Sequence, residues 1–144
     1  IAAFVSKYAF PATVKLINTG DIVATGKSGA NLEGNCIVSG IIGSMKAPIE
    51  GAQCFCKINA PKYTAQQGML SGKARAAASV LYTNAKVGGT VVTSFDSSDF
   101  REITADLDDS NFFDYIYGSG KDTDWTGTTN HDGCTFLSAK PTIE

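Results

Sequence analysis

Apolar positions concentrate in residues 35–59, NCIVSGIIGSMKAPIEGAQCFCKIN, which read as two short strands and a connection. Cys36, Ile37, Val38, Ile41 and Ile42 form a largely β-branched run, interrupted by Gly40 and Gly43 where a bulge or a close backbone approach belongs. Residues 45–51, with Pro48, form the connection. In residues 53–58 a period of two sets Cys54, Cys56 and Ile58 on one face and Phe55 on the other, the alternation of a strand.

Away from this centre the patterns are shorter. Residues 1–10, IAAFVSKYAF, are strongly apolar for a terminus, and their spacing fits a helical face (Phe4, Lys7, Tyr8, Pro11) as well as a strand. Residues 12–17 and 22–25 alternate on either side of Asn18-Thr19-Gly20-Asp21 and predict a hairpin. Residues 69–85 place Ala74, Ala77, Ala78, Leu81 and Ala85 on one stripe before Gly88 and Gly89, which predicts a helix lying close on a sheet. A strand is predicted at 90–95, and short helical turns at 99–107 (Asp99 and Glu102 at the start, then Phe100, Ile103 and Leu107) and at 112–117. A last strand is predicted at 134–137. The fold expectation is a single α+β domain over 1–144, mainly antiparallel β-sheet with one helix packed on it, residues 1–10 being a possible apolar arm.

Four cysteines sharpen that expectation. Cys54 and Cys56 point the same way from one strand and are too far apart to bond each other comfortably. Two bridges would therefore join Cys36 to one of them and Cys134 to the other, a disulfide-stapled architecture. The longer bridge would close about 80 residues and stabilise by roughly 3 to 5 kcal/mol. Free buried thiols and a four-cysteine metal site are the competing readings, the second lacking the paired knuckles of structural zinc. Bridges imply an oxidising compartment, and an opening Ile1 fits a processed mature chain, so the protein is expected to be secreted or displayed at the cell surface. No uninterrupted apolar run is long enough to span a bilayer, so no transmembrane segment is expected.

The net charge of −2 hides a division. Through Thr90 nine basic residues face three acids, and from Val91 onward three bases face eleven acids. Either the halves face each other, or one molecule's basic surface meets the next one's acidic surface. Nucleic-acid binding is disfavoured, because the basic half has one arginine and dispersed lysines.

Catalytic chemistry finds little footing. Gly26-Lys27-Ser28 lacks the glycine spacing of a phosphate loop. His131, the sole histidine, has no nucleophile elbow to serve, and no pair stands out among acids such as Asp99, Glu102 and Asp114. Asp122, Asp124 and Thr126, with Asn130, resemble the first half of a calcium loop without its closing glutamate, so a solvated acidic turn is preferred and calcium is the one cofactor to consider. Trp125, Tyr115 and Tyr117 are candidates for an aromatic binding patch.

The functional expectation is a secreted structural or adhesive subunit rather than an enzyme, self-associating head to tail into pilus-like filaments through an apolar arm bearing Phe4, Val5, Tyr8 and Phe10. The alternative is a monomeric effector binding a host surface protein or a glycan, and a carboxylate-dependent hydrolase comes third.

Overall fold

The computed structural model describes residues 2–5, 15–24, 37–45, 49–61, 67–74, 82–92, 99–104, 106, 115–116 and 133–143. Among these the regular elements are thirteen strands, none of them long. The early ones are β1 (Ala2–Val5), β2 (Ile17–Asn18) and β3 (Ile22–Val23), then β4 (Val38–Ser39), β5 (Ile42–Met45), β6 (Ile49–Glu50) and β7 (Gln53–Asn59). They are followed by β8 (Gln67–Gly68), β9 (Ser71–Ala74), β10 (Tyr82–Thr83), β11 (Ala85–Val92), β12 (Phe100–Ile103) and β13 (Cys134–Phe136).

The pairing is parallel in every ladder except β11 with β12. Strands β4, β5, β6 and β7 align with β8, β9, β10 and β11 one for one and in the same order. The register is offset by 29 residues at Val38↔Gln67 and Ile42↔Ser71, and by 33 at Ile49↔Tyr82 and Gln53↔Lys86. The chain therefore retraces its own path one level on, which defines a parallel β-coil, a solenoid whose rungs contact their neighbours in chain order.

An earlier rung is marked by β1 against β5 and by β2 and β3 against the two ends of β7. A later one is marked by β13 against β11 and by backbone bonds from Met69 N to Tyr115 O (3.0 Å) and Leu70 N to Ile116 O (2.8 Å). Parallel strands ordinarily need a long crossover. Here the rest of each turn supplies it.

The core lies inside the coil. Leu16, Ala52 and Ala85 are buried at one position of successive rungs, and Cys134 takes the same place in the next. Ile41, Ile42, Leu70 and Ile116 fill another wall. Each fully buried side chain of this size contributes about 1.5 to 3 kcal/mol of transfer free energy. A shared corner shows how the sequence permits stacking: Gly51 and Asn84, again 33 residues apart, take left-handed backbone (φ 74° and 52°), which glycine and asparagine adopt most readily.

Three sequence expectations are corrected. The fold is not α+β, since no element in the described residues is a helix: within 69–85, residues 71–74 are β9, 82–83 are β10 and β11 begins at Ala85. The sheets are mainly parallel, not antiparallel; β2 and β3 each join β7 instead of forming a hairpin with each other. The turn between them does form, with Gly20 N–H donating to Asn18 Oδ1 (2.9 Å). Asp99 precedes a strand rather than a helix, because β12 completes the outer edge of β11 beyond the reach of β13.

The disulfide staple is also corrected. Cys54, Cys56 and Cys134 are free thiols. β13 and β7 lie on opposite edges of β11, since Lys86 and Val87 pair with both. Two ladder spacings, about 10 Å, separate Cys134 from the β7 cysteines, beyond the reach of a bridge. Cys36 lies outside the described residues.

Candidate functional site: a buried sulfur cluster and an outer cleft

Strand β7 carries two distinct chemistries on its two faces. Its inner face holds Cys54, Cys56 and Ile58, all buried, and its outer face presents Phe55 and Lys57. The sequence pattern places these residues correctly, and the neighbouring rungs decide what they meet.

Inside, Cys54 Sγ lies 3.4 Å from Cys56 Sγ, and Cys56 Sγ lies 3.9 Å from Met69 Sδ. Three sulfur atoms from two rungs thus share one buried space. A Cβ at Gly40 would fall on Cys54 Sγ and on the Met69 carbonyl oxygen, so only glycine leaves room for that sulfur. On the other side Gly89 pairs with Cys56 at φ 105°, where a Cβ would collide with the Cys56 main chain. The thiols are not equivalent. The hydrogen bond between Cys54 and Cys56, together with burial, holds the Cys54 thiol far above its ordinary range. The same bond lowers Cys56, against the upward push of burial and of Asp21 and with help from Lys140. Cys134 is pushed up to about 12 by burial.

Outside, a cleft of about 370 Å³ is bordered by Asp21, Phe55, Lys57, Glu102 and Lys140 among others. Segment 137–143 follows β13, anchored where Leu137 N–H donates to Val87 O (2.7 Å). The cleft's charges are built into the frame: Asp21 accepts from the Lys57 backbone N–H (2.8 Å), and Lys57 Nζ stands 4.1 Å from the centroid of the Phe100 ring. Both signs of charge line it, which suits a polar ligand carrying both.

Of the residues singled out from sequence, Phe4 and Val5 belong to β1, an edge strand among the described residues. Tyr115 is half-buried against the core, with the Arg101 guanidinium 5.9 Å from its ring centroid. Asp99 and Glu102 are both exposed, and Glu102 borders the cleft. Tyr8, Phe10, Asp114, Tyr117, Asp122, Asp124, Trp125, Thr126, Asn130 and His131 lie outside the described residues, as does 26–28. Among the described residues no three His, Cys, Asp or Glu side chains gather as a metal site, and no helix is long and apolar enough to cross a membrane.

Sequence reasoning missed Met69 and Gly40 as companions of the cysteines. Only rung pairing brings position 69 to position 56, and no local spacing announces it. Scans of family models, curated proteins and solved structures find no match to this chain.

Proposed function

We propose that this protein is a structural subunit that assembles head to tail by continuing its own rung stack from one copy to the next. The observation that carries this reading is the parallel ladder itself. Rung follows rung in chain order, and among the described residues β1 pairs only with β5, and β2 and β3 only with β7. A strand with one unpaired edge is a template for a further strand, and natural solenoids need end caps for that reason. A rung added there by another copy makes a heterologous contact, which closes into a ring or runs on as a filament.

Charge supports the same polarity. The sequence through Thr90 is net basic, and the remainder net acidic. Where rung order follows chain order, that division favours contact between unlike ends and disfavours contact between like ends.

The test is a proline scan of β1. An edge strand tolerates proline where its N–H faces away from the ladder. Among Ala2→Pro, Ala3→Pro, Phe4→Pro and Val5→Pro, those whose N–H points outward should keep the wild-type circular dichroism and melting while losing assembly by sedimentation and electron microscopy. A wild-type chain that stays monomeric from micromolar to millimolar concentration at both low and high salt would overturn the reading.

The outer cleft favours a second reading, a monomer that binds a carbohydrate or a host protein's polar segment at Asp21, Lys57, Glu102 and Lys140. Under it, Lys57→Ala and Glu102→Ala abolish binding on a glycan or peptide array, and the proline scan leaves mass in solution unchanged.

A further inference from the structure

We propose that Cys54, Cys56 and Met69 form a binding site for one soft monovalent cation, copper(I), inside the coil. Two thiols and a thioether are the donor set that selects this ion, and no harder donor is part of the described cluster. Trigonal coordination with metal–sulfur bonds of about 2.3 Å sets the sulfur atoms about 4 Å apart. Two of the sulfur–sulfur edges are 3.4 Å for Cys54 to Cys56 and 3.9 Å for Cys56 to Met69. The Cys56–Met69 edge is already at that spacing, and the Cys54–Cys56 edge is about half an ångström short of it.

The surroundings fit. All three residues are buried, so water does not compete for a coordination position. Tetrahedral zinc would lack its fourth ligand here. Gly40 leaves the space that Cys54 Sγ occupies, and Gly89 lets β11 close against Cys56.

The proton balance is simple. Copper(I) replaces one proton on each thiol, two protons leave, and a bis-thiolate of net charge −1 remains with the neutral Met69 sulfur completing the triangle. Binding strengthens as pH rises, because protons compete for the same sulfurs.

The test uses the full chain, reduced and free of oxygen, titrated with copper(I) against bicinchoninate, with X-ray absorption for the sulfur count. The expected result is one copper per chain bound to three sulfurs, with a melting temperature that rises with bound copper. Cys56→Ser should abolish this binding. Met69→Leu should reduce the sulfur count from three to two and weaken binding about tenfold or more. Cys134→Ser should leave both unchanged. Absence of binding in the folded wild type overturns the assignment, and so does binding that Met69→Leu leaves intact in affinity and sulfur count. Should Cys56→Ser fail to fold, Met69→Leu, which conserves side-chain volume, decides the matter.

Discussion

Three glycines separate the two costs that a stacked coil imposes on a side chain, and alanine at each measures them. Gly51 has φ 74° with no atom within 4 Å of a built Cβ, so Gly51→Ala incurs a backbone cost alone. For left-handed backbone that is about 1 to 2 kcal/mol. Gly40 has no such backbone demand, but its Cβ would fall on Cys54 Sγ and the Met69 carbonyl, so Gly40→Ala incurs a packing cost alone. Inserting a methyl into a filled core costs about 1 to 3 kcal/mol. Gly89 combines both, with φ 105° and the Cys56 carbonyl carbon at 2.8 Å and nitrogen at 2.9 Å from the Cβ position. Here the obstruction is backbone, which cannot rotate aside. Summing the two terms gives about 2 to 5 kcal/mol for Gly89→Ala.

At about 3 to 4 °C per kcal/mol for a chain of this size, melting should fall by roughly 6 to 20 °C for Gly89→Ala, roughly 3 to 8 °C for Gly51→Ala and roughly 3 to 12 °C for Gly40→Ala. Urea titration gives the same order, with the slope unchanged if only stability has moved. A Gly89→Ala protein no less stable than Gly51→Ala would refute the argument, because it would mean that β11 does not lie on β7 in the register Gly89↔Cys56.

Two further outcomes follow from the same frame. At Asn84, with φ 52°, glycine should be tolerated within a few tenths of a kcal/mol and valine should cost about 2 kcal/mol in urea unfolding, since β-branched residues are outliers at positive φ. Cys134 has its thiol pushed from the ordinary 9.0 up to about 12, so below pH 9 both folded and unfolded states keep the proton and stability is flat. Between pH 9 and 12 only the unfolded thiol releases it, so stability falls as pH rises. Urea titrations at pH 8 and pH 11 should show a steeper loss for wild type than for Cys134→Ala, and equal losses would remove burial as the cause.

Strand character was legible where period two was clean. Cys54, Cys56 and Ile58 opposite Phe55 mark β7, and Cys134 through Phe136 marks β13. Handed short strands and turns, however, sequence patterns do not say which strand lies beside which. The signal that does is a repeat: Ile49-Glu50-Gly51-Ala52 aligns with Tyr82-Thr83-Asn84-Ala85, and Gly43 with Gly72. It escapes a search at one fixed period because the chain between β9 and β10 is four residues longer than that between β5 and β6, shifting the offset from 29 to 33. The helix expectation for 69–85 rested on a stripe of which only Ala85 is described with its side chain, and it begins β11.

The cysteines misled more deeply, because counting them treated each as a group in search of a covalent partner. A coil interior makes a different demand: each inward position meets the equivalent position one rung away, about 4.8 Å off, and must be filled without crowding it. In the column Leu16, Ala52, Ala85, Cys134, a thiol serves as a small apolar side chain and needs no bridge. The expectation of an oxidising compartment rested on bridges and loses that support, so assembly has to be argued from the edges of β1, β2 and β3 that are unpaired among the described residues. The β7 pair differs from Cys134 in one physical respect. A filler thiol faces carbon, whereas Cys54 and Cys56 face each other and a third sulfur, in space that Gly40 keeps open. That difference makes the inner face of β7, rather than the tail of the chain, the place where cysteine chemistry is to be sought.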